Sequence, residues 1–186
     1  MANLNQFLIK LKKIIPRRVF NYLSPAYHQV LAYLAAFLYN WPSNKLIVVG
    51  VTGTNGKSTT VNLIARILEK NGFVTGVSST INFKIGENSW LNDTKMTMLG
   101  RFGLQKLLSR MARSGCQYAI IETSSQGLSQ GRHLGVNYDA AVFTNLTPEH
   151  LEAHGGFENY KKAKGKLFSH LTKMPSLPYP LDQWQI

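Results

Sequence analysis

The side chains in this sequence best suited to chemistry stand together at Gly56-Lys57-Ser58-Thr59, a lysine between a glycine and two hydroxyls. They end the run Gly50-Val51-Thr52-Gly53-Thr54-Asn55-Gly56-Lys57-Ser58-Thr59-Thr60. Glycines let backbone N–H groups wrap an anion, and a helix opening at Lys57 adds its partial positive charge. In that setting Gly53, Thr54, Asn55, Gly56 and Thr59 cradle nucleotide phosphates. Lys57 reaches the β- and γ-phosphates, and the Ser58 hydroxyl ligates Mg²⁺. Val51 stands where the common form of such a loop carries glycine, so the glycines fall at 50, 53 and 56. A glycine-rich turn can also merely join a strand to a helix, but Gly-Lys-Ser-Thr at a helix start points to ATP or GTP. The loop alone leaves the reaction open.

Those residues need a scaffold, and the hydrophobic pattern supplies one. Leu46–Val49 is a short continuous apolar run, the signature of a strand buried on both faces of a parallel sheet. A helix over Lys57–Asn71 with Gly72 at its end follows, then a strand at Phe73–Ser78 and a hairpin over Asn82–Trp90 turning at Gly86-Glu87-Asn88. Next come a helix over Arg101–Ser114, strands at Tyr118–Ile121 and Ala140–Phe143, and a helix over Phe157–Leu171. This alternation predicts a three-layer α/β fold with a mostly parallel sheet and a phosphate loop. Glu122 then stands at the carboxyl end of a buried strand, where ligands bind in such sheets, and is a hard oxygen ligand suited to Mg²⁺.

Residues 45–171 form this domain. Before it, residues 1–44 read as two helices. One covers residues 3–15 and ends at Pro16; the other starts with Ser24 as cap and Pro25 in the first turn, then runs over Ala26–Asn40. The second is apolar nearly all round but shorter than the ~20 residues of a bilayer span, so it packs on the domain or another subunit, or lies in a membrane interface. Residues 172–186, with Pro175, Pro178 and Pro180, read as an irregular tail.

Composition narrows the class. Hydrophobic residues at 44% and charged residues at 16% exclude a disordered chain. The formal charge of +12 suits a nucleic acid, an anionic membrane or a phosphorylated substrate. No acidic residue precedes Glu69, whereas Lys10, Lys12, Lys13, Arg17 and Arg18 cluster early, which implies weak membrane-surface contact through residues 1–40. One cysteine, Cys116, excludes an internal disulfide and reads as a buried thiol. With no signal-peptide pattern, a cytoplasmic location is expected. His133 reads as an ordinary loop histidine, and Lys164 by composition as a surface lysine beside Lys161, Lys162 and Lys166.

Four segments in order change that last reading. They are Thr52–Thr59; Glu122-Thr123-Ser124-Ser125-Gln126-Gly127-Leu128 with Gln130 and Arg132; Thr144-Asn145-Leu146-Thr147-Pro148-Glu149-His150-Leu151 with His154-Gly155; and Tyr160-Lys161-Lys162-Ala163-Lys164 with Leu167-Phe168. Together they resemble the Mur ligases and their folylpolyglutamate synthetase relatives, most of all the Mur ligases that add the third residue of the peptidoglycan stem peptide. The resemblance implies a central ATP-binding domain and an acid–amino acid ligase. Such an enzyme moves the γ-phosphate of ATP to a carboxylate of a UDP-N-acetylmuramoyl-peptide, and an amino acid then attacks the acyl phosphate; nucleic acid has no part.

By the same resemblance, Lys57, Glu122, His150 and Lys164 are catalytic. Ser58 and Glu122 hold Mg²⁺, His150 helps hold a second metal, and Lys164 is carbamylated and serves the metal site. Ser124, Gln130 and Arg132 contact the UDP-muramoyl-peptide, with a solvated surface arginine the alternative for Arg132 and a structural histidine that for His150. Gln126, Glu149 and Leu99 depart from the family's usual histidine, aspartate and proline. Residues 1–44 are too few for the family's UDP-binding module, and the chain stops soon after the lysine motif. It therefore reads as incomplete at the C-terminus, binding Mg-ATP by itself and completed by missing sequence or a complementing chain. The alternatives are a folylpolyglutamate synthetase-like ligase and a non-catalytic nucleotide-binding accessory protein.

Overall fold

The structure, a computed structural model, describes residues 17–148 and 151–171. The helix expected over residues 3–15, the tail 172–186, Glu149 and His150 lie outside the described residues. The apolar runs become β1 (Ile47–Thr52), β2 (Thr75–Ser78), β3 (Asn82–Ile85), β4 (Asn88–Leu91), β5 (Tyr118–Glu122) and β6 (Ala140–Phe143). Their spatial order is β4-β3-β2-β5-β1-β6. β2, β5, β1 and β6 are parallel, and the β3–β4 hairpin adds two antiparallel strands at one edge, as the sequence pattern predicts. The helices are α1 (Arg17–Leu38), α2 (Lys57–Lys70), α3 (Arg101–Arg113), α4 (Ser125–Ser129), α5 (Leu151–His154) and α6 (Phe157–Ser169).

Strand alternation sorts the core into two layers. Val48, Ala119 and Ile121 face Leu104, Leu107, Leu108 and Met111 of α3 and Leu167 of α6. Val49, Val51, Ile120 and Val77 face the opposite way, onto Val61 and Ala65 of α2. A central strand apolar on both faces is the physical meaning of the continuous run at Leu46–Val49.

β1 outlasts that run. Gly50, Val51 and Thr52 continue it because both neighbours extend alongside: Gly50 and Val51 pair with Ile121 and Glu122 of β5, and Thr52 with Phe143 of β6. Gly50 is therefore a strand residue rather than part of the anion cradle. A Cβ there would lie 2.8 Å from Leu167 and 2.9 Å from Tyr138, so its missing side chain is what lets α6 lie against the sheet.

The N-terminal helix also differs from expectation. α1 starts by Arg17 and runs through Ser24 and Pro25, so neither is its boundary. An interior proline removes one hydrogen bond and disfavours a helical residue before it, a bias that a long helix can absorb. Its small face, Ala32, Ala35 and Ala36, is fully buried and α1 packs on α3. Gln105 of α3 donates to the Gly135 carbonyl at 2.7 Å nearby. No helix among the described residues is long and apolar enough to cross a membrane.

α4 and α5 were not evident in the sequence pattern; α4 is fixed locally by Ser124, whose Oγ accepts the Gly127 N–H at 3.1 Å as an N-cap. Cys116 is free and buried, as expected, and burial raises its thiol pKa.

His133 is not an ordinary loop histidine. It is 2% exposed, its two ring nitrogens lack hydrogen-bond partners, and its ring meets His170 edge-on at 4.5 Å. Burial, then His170 and Lys166, depress its pKa from 6.5 to about 4. The unfolded histidine takes up a proton before the folded one does, so native stability drops as pH falls from about 6.5 towards 4. In urea unfolding across that range, His133→Leu should lose roughly 2–4 kcal/mol less stability than the wild type. Parallel profiles would show that His133 titrates normally.

Candidate active site

The loop between β1 and α2 is held open by a second loop. Gly53 adopts φ 153°, and a Cβ there would lie 1.8 Å from the Thr144 hydroxyl, so only glycine fits. The Thr54 N–H donates to the Asn145 carbonyl and the Asn55 N–H to Asn145 Oδ1, each at 2.9 Å. Thr144 Oγ1 and Asn145 Nδ2 donate back to the Asn55 carbonyl at 2.7 and 3.2 Å. The Thr147 N–H donates to Thr54 Oγ1 at 3.0 Å. Thr144-Asn145-Leu146-Thr147 is thus a polar brace on the phosphate loop.

Gly56, at φ 78°, caps α2, and the first hydrogen bond of the helix runs from Thr60 N–H to the Gly56 carbonyl at 2.9 Å. The N–H groups of Lys57, Ser58 and Thr59 precede any intrahelical acceptor and point out of the helix start. Lys57 Nζ folds over the loop and donates to the Thr54 carbonyl at 2.6 Å. Backbone donors, a helix dipole and one ammonium converge on one spot, an anion site by construction.

Glu122 faces that spot from β5. It is buried, and its carboxylate accepts Ser58 Oγ–H at 2.8 Å, Thr80 N–H at 2.8 Å and Thr80 Oγ1–H at 2.9 Å. The family resemblance implies Ser58 and Glu122 at one Mg²⁺, whereas Thr80, which immobilises the carboxylate, carries no sequence signal. One hydroxyl and one carboxylate, oriented and at contact distance, are a donor set that fits Mg²⁺, which keeps most of its shell for water and phosphate. Among the described residues no cluster of three or more His, Cys, Asp and Glu could hold a metal by itself.

Lys164 is not a surface lysine. It is 2% exposed, donates from Nζ to the Gly53 carbonyl, and lies 4.4 Å from the centre of the Tyr160 ring. Tyr160 in turn shares a 2.9 Å hydrogen bond with Thr54 Oγ1. Lys164, Tyr160, Lys57, Thr54, Gly53, Thr97, Ser124, Ser125 and Gln126 line one small pocket of about 180 Å³. His154 Nε2 lies 3.0 Å from Ser125 Oγ at its rim.

The predicted substrate residues divide. Ser124 lines this pocket while its hydroxyl caps α4. Gln130 and Arg132 sit past the end of α4 and bind each other, with Arg132 Nε and Nη2 donating to Gln130 Oε1 at 3.0 and 2.7 Å. Arg132 Nη1 also donates to the Met98 carbonyl, and Arg101 donates to the Gln130 carbonyl. Burial lowers the pKa of both arginines, and Arg132 lowers that of Arg101 further. Arg132 is half-buried rather than a solvated surface arginine. His150 lies outside the described residues.

A parallel sheet whose central strand runs through this loop into a helix, with a carboxylate on the adjacent strand, defines the class of phosphate-loop α/β domains. A family model for the Mur ligase middle domain matches residues 51–183, and the chain belongs to the Mur ligase family. It is 44% identical over 158 residues to a UDP-N-acetylmuramyl-tripeptide synthetase of Roseiflexus sp. (strain RS-1), covering 84% of this chain and 31% of that protein. It is also 44% identical over 141 residues to a UDP-N-acetylmuramoyl-L-alanyl-D-glutamate--2,6-diaminopimelate ligase of Bacillus cereus, covering 76% of this chain and 28% of that one. A solved structure of a ligase of the latter name aligns at TM-score 0.61 and 38% identity, over 67% of this chain and 25% of that one. E. coli FolC in complex with DHPP and ADP aligns at TM-score 0.54 with 20% identity, a likeness of fold alone. The chain therefore spans under a third of the length of these curated relatives.

Lys57→Ala removes the ammonium that lies over the Thr54 carbonyl without touching the brace of the cradle. Affinity for a fluorescent ATP analogue should fall roughly 10- to 100-fold, the worth of a charge-assisted hydrogen bond, with the thermal unfolding midpoint unchanged. Unaltered affinity would remove Lys57 from the phosphate site.

Proposed function

We propose that this chain supplies the nucleotide-binding and carboxylate-activating part of a Mur-type ATP-dependent acid–amino acid ligase in peptidoglycan precursor synthesis. The observation that carries the reading is the convergence of Ser58, Glu122, Lys57 and Lys164 around the mouth of the Gly53–Thr59 loop. Names and identities of the relatives support the UDP-muramoyl-peptide as carboxylate donor and an amino acid as the amine.

Each residue then has a task. The N–H groups of the α2 start bind the ATP phosphates, and Lys57 exchanges the Thr54 carbonyl for phosphate oxygens. Ser58 and Glu122 hold Mg²⁺, which supplies neutralisation of the phosphate charge that opposes attack by a carboxylate. Thr80 keeps Glu122 aimed. Ser124, with Gln130 and Arg132, orients the muramoyl-peptide, the guanidinium facing an anionic group. Transfer of the γ-phosphoryl group to the peptide carboxylate releases ADP; attack by the amine forms the amide and releases phosphate. His150 serves a second metal in this reading.

Lys164 is the residue that the family resemblance marks for carbamylation. Its ammonium first gives up one proton, and the neutral amine then adds CO₂ and loses a second, so that a cation on the Gly53 carbonyl gives way to a carbamate anion beside the phosphate site. Incubation with ¹³C-bicarbonate should give a carbamate carbon resonance that vanishes in Lys164→Ala. Identical spectra from the two proteins would eliminate the modification.

Amide formation also requires an amine held in line with the acyl phosphate, an arrangement worth about 7–11 kcal/mol of barrier. The 186-residue chain alone should accordingly bind Mg-ATP and form no amide from UDP-muramoyl-dipeptide and amino acids. In a chimaera with the remaining domains of a longer relative, mass spectrometry should show amide, and ¹⁸O should pass from the labelled carboxylate to inorganic phosphate. Amide without ¹⁸O transfer would contradict the acyl phosphate, and use of a folate acceptor in place of the muramoyl-peptide would favour the folylpolyglutamate-type reaction.

A further inference from the structure

α1 shows two faces of opposite character. Ala32, Ala35 and Ala36 are sealed against the domain, while Val30, Tyr33, Leu34, Phe37 and Leu38 follow the i, i+3, i+4, i+7, i+8 spacing of a single stripe. That stripe is exposed, to 65% at Val30 and 69% at Phe37. A continuous apolar stripe along several turns of a surface helix marks a place where something else binds.

Charge indicates what. No acidic residue occurs before Glu69, and five basic residues, Lys10, Lys12, Lys13, Arg17 and Arg18, precede or open α1. At the other end of the helix, Leu38 and Tyr39 share a hollow of about 430 Å³ with Lys45 and Arg113, both exposed. The sole ion pair among the described residues is Lys84–Glu69, so neither of these cations has a carboxylate partner there. A second copy would bring another +12 against this face, which opposes pairing of like chains. The helix does not have the length and apolarity to cross a bilayer. Tyr33, in ring contact with Trp41 at 6.1 Å, supplies the amphipathic aromatic pair suited to a headgroup boundary.

We infer that α1 is a peripheral docking helix for an anionic lipid bilayer, with the Val30–Leu38 stripe entering the acyl boundary and Lys45 and Arg113 engaging lipid phosphates. A helix of this kind lies in the plane of the interface, and its affinity depends on both apolar area and surface charge. The role is separate from ligase chemistry, because the stripe lies on the side of α1 opposite its contact with the domain.

The test is co-sedimentation of the full chain with phosphatidylcholine vesicles and with vesicles containing phosphatidylglycerol. Wild type should partition onto the anionic vesicles and be released as salt is raised. Val30→Ser/Phe37→Ser should lower the partition coefficient about tenfold or more. Lys45→Glu/Arg113→Glu should weaken binding to anionic vesicles, and Leu63→Ser/Ile67→Ser, exposed apolar residues on α2, should leave it unchanged. ATP-analogue binding reports that each variant is folded. Absence of anionic-vesicle binding by folded wild type, equal binding to neutral vesicles, or full binding by the Val30/Phe37 variant would overturn the proposal. So would a lipid-free dimer in light scattering that this variant dissolves, since the stripe would then belong to a second copy.

Discussion

Parallel pairing of β1 with β5 on one side and β6 on the other is the constraint on which the site depends. The register sets Val51 beside Glu122 and Thr52 beside Phe143, so three chain crossings leave the sheet at one edge. Had β5 slipped by one residue, the side chain at its end would face the opposite layer, because strand side chains alternate. Glu122 reaches Ser58, and Thr144–Thr147 reaches the phosphate loop, only because these pairings hold. Burial of Val49, Val51 and Ile120 on one face and Val48, Ala119 and Ile121 on the other fixes that register.

The polar groups at this edge satisfy one another. Lys57 rests on the Thr54 carbonyl, Lys164 on the Gly53 carbonyl, and Ser58 on Glu122. Buried donors and acceptors left unpaired are costly, so such mutual satisfaction holds an anion site in shape before the anion arrives. The brace from Asn145 contributes backbone and side-chain contacts to the same loop, which makes its position a property of the sheet rather than of a flexible turn.

The sheet and loop were legible in the sequence because they rest on local signals, apolar runs and glycine spacing. The length of β1 was not, since Gly50, Val51 and Thr52 are strand only through neighbours far along the chain. Thr80 was invisible for the same reason: β2 must first pair in parallel with β5, Ser78 beside Ile121, before its end can reach Glu122. Ser24-Pro25 looked like a helix start and lies inside α1, where the rest of the helix outweighs one local preference. The burial of Lys164 was hidden by its lysine-rich surroundings. Tyr160, Ala163, Lys164 and Leu167 nevertheless form the buried face of α6 at helical spacing, with Lys161, Lys162 and Lys166 outside it. His133 had no comparable cue, because its burial comes from His170 and the turn around it.

Gly50 links the hydrocarbon interior to the ionic edge. Leu167 of α6 lies over it, and Lys164 stands one helical turn earlier on the same face of that helix. The thickness of the contact between β1 and α6 is therefore the lever that sets how far the buried lysine stands from the phosphate loop. A methyl group at position 50 would tilt or lift α6 and carry its ammonium with it, although no polar atom had changed. Selection acting on catalysis in this domain can thus be recorded at a site that holds no functional group, with Leu167 and Tyr138 as the places where a compensating change would be found.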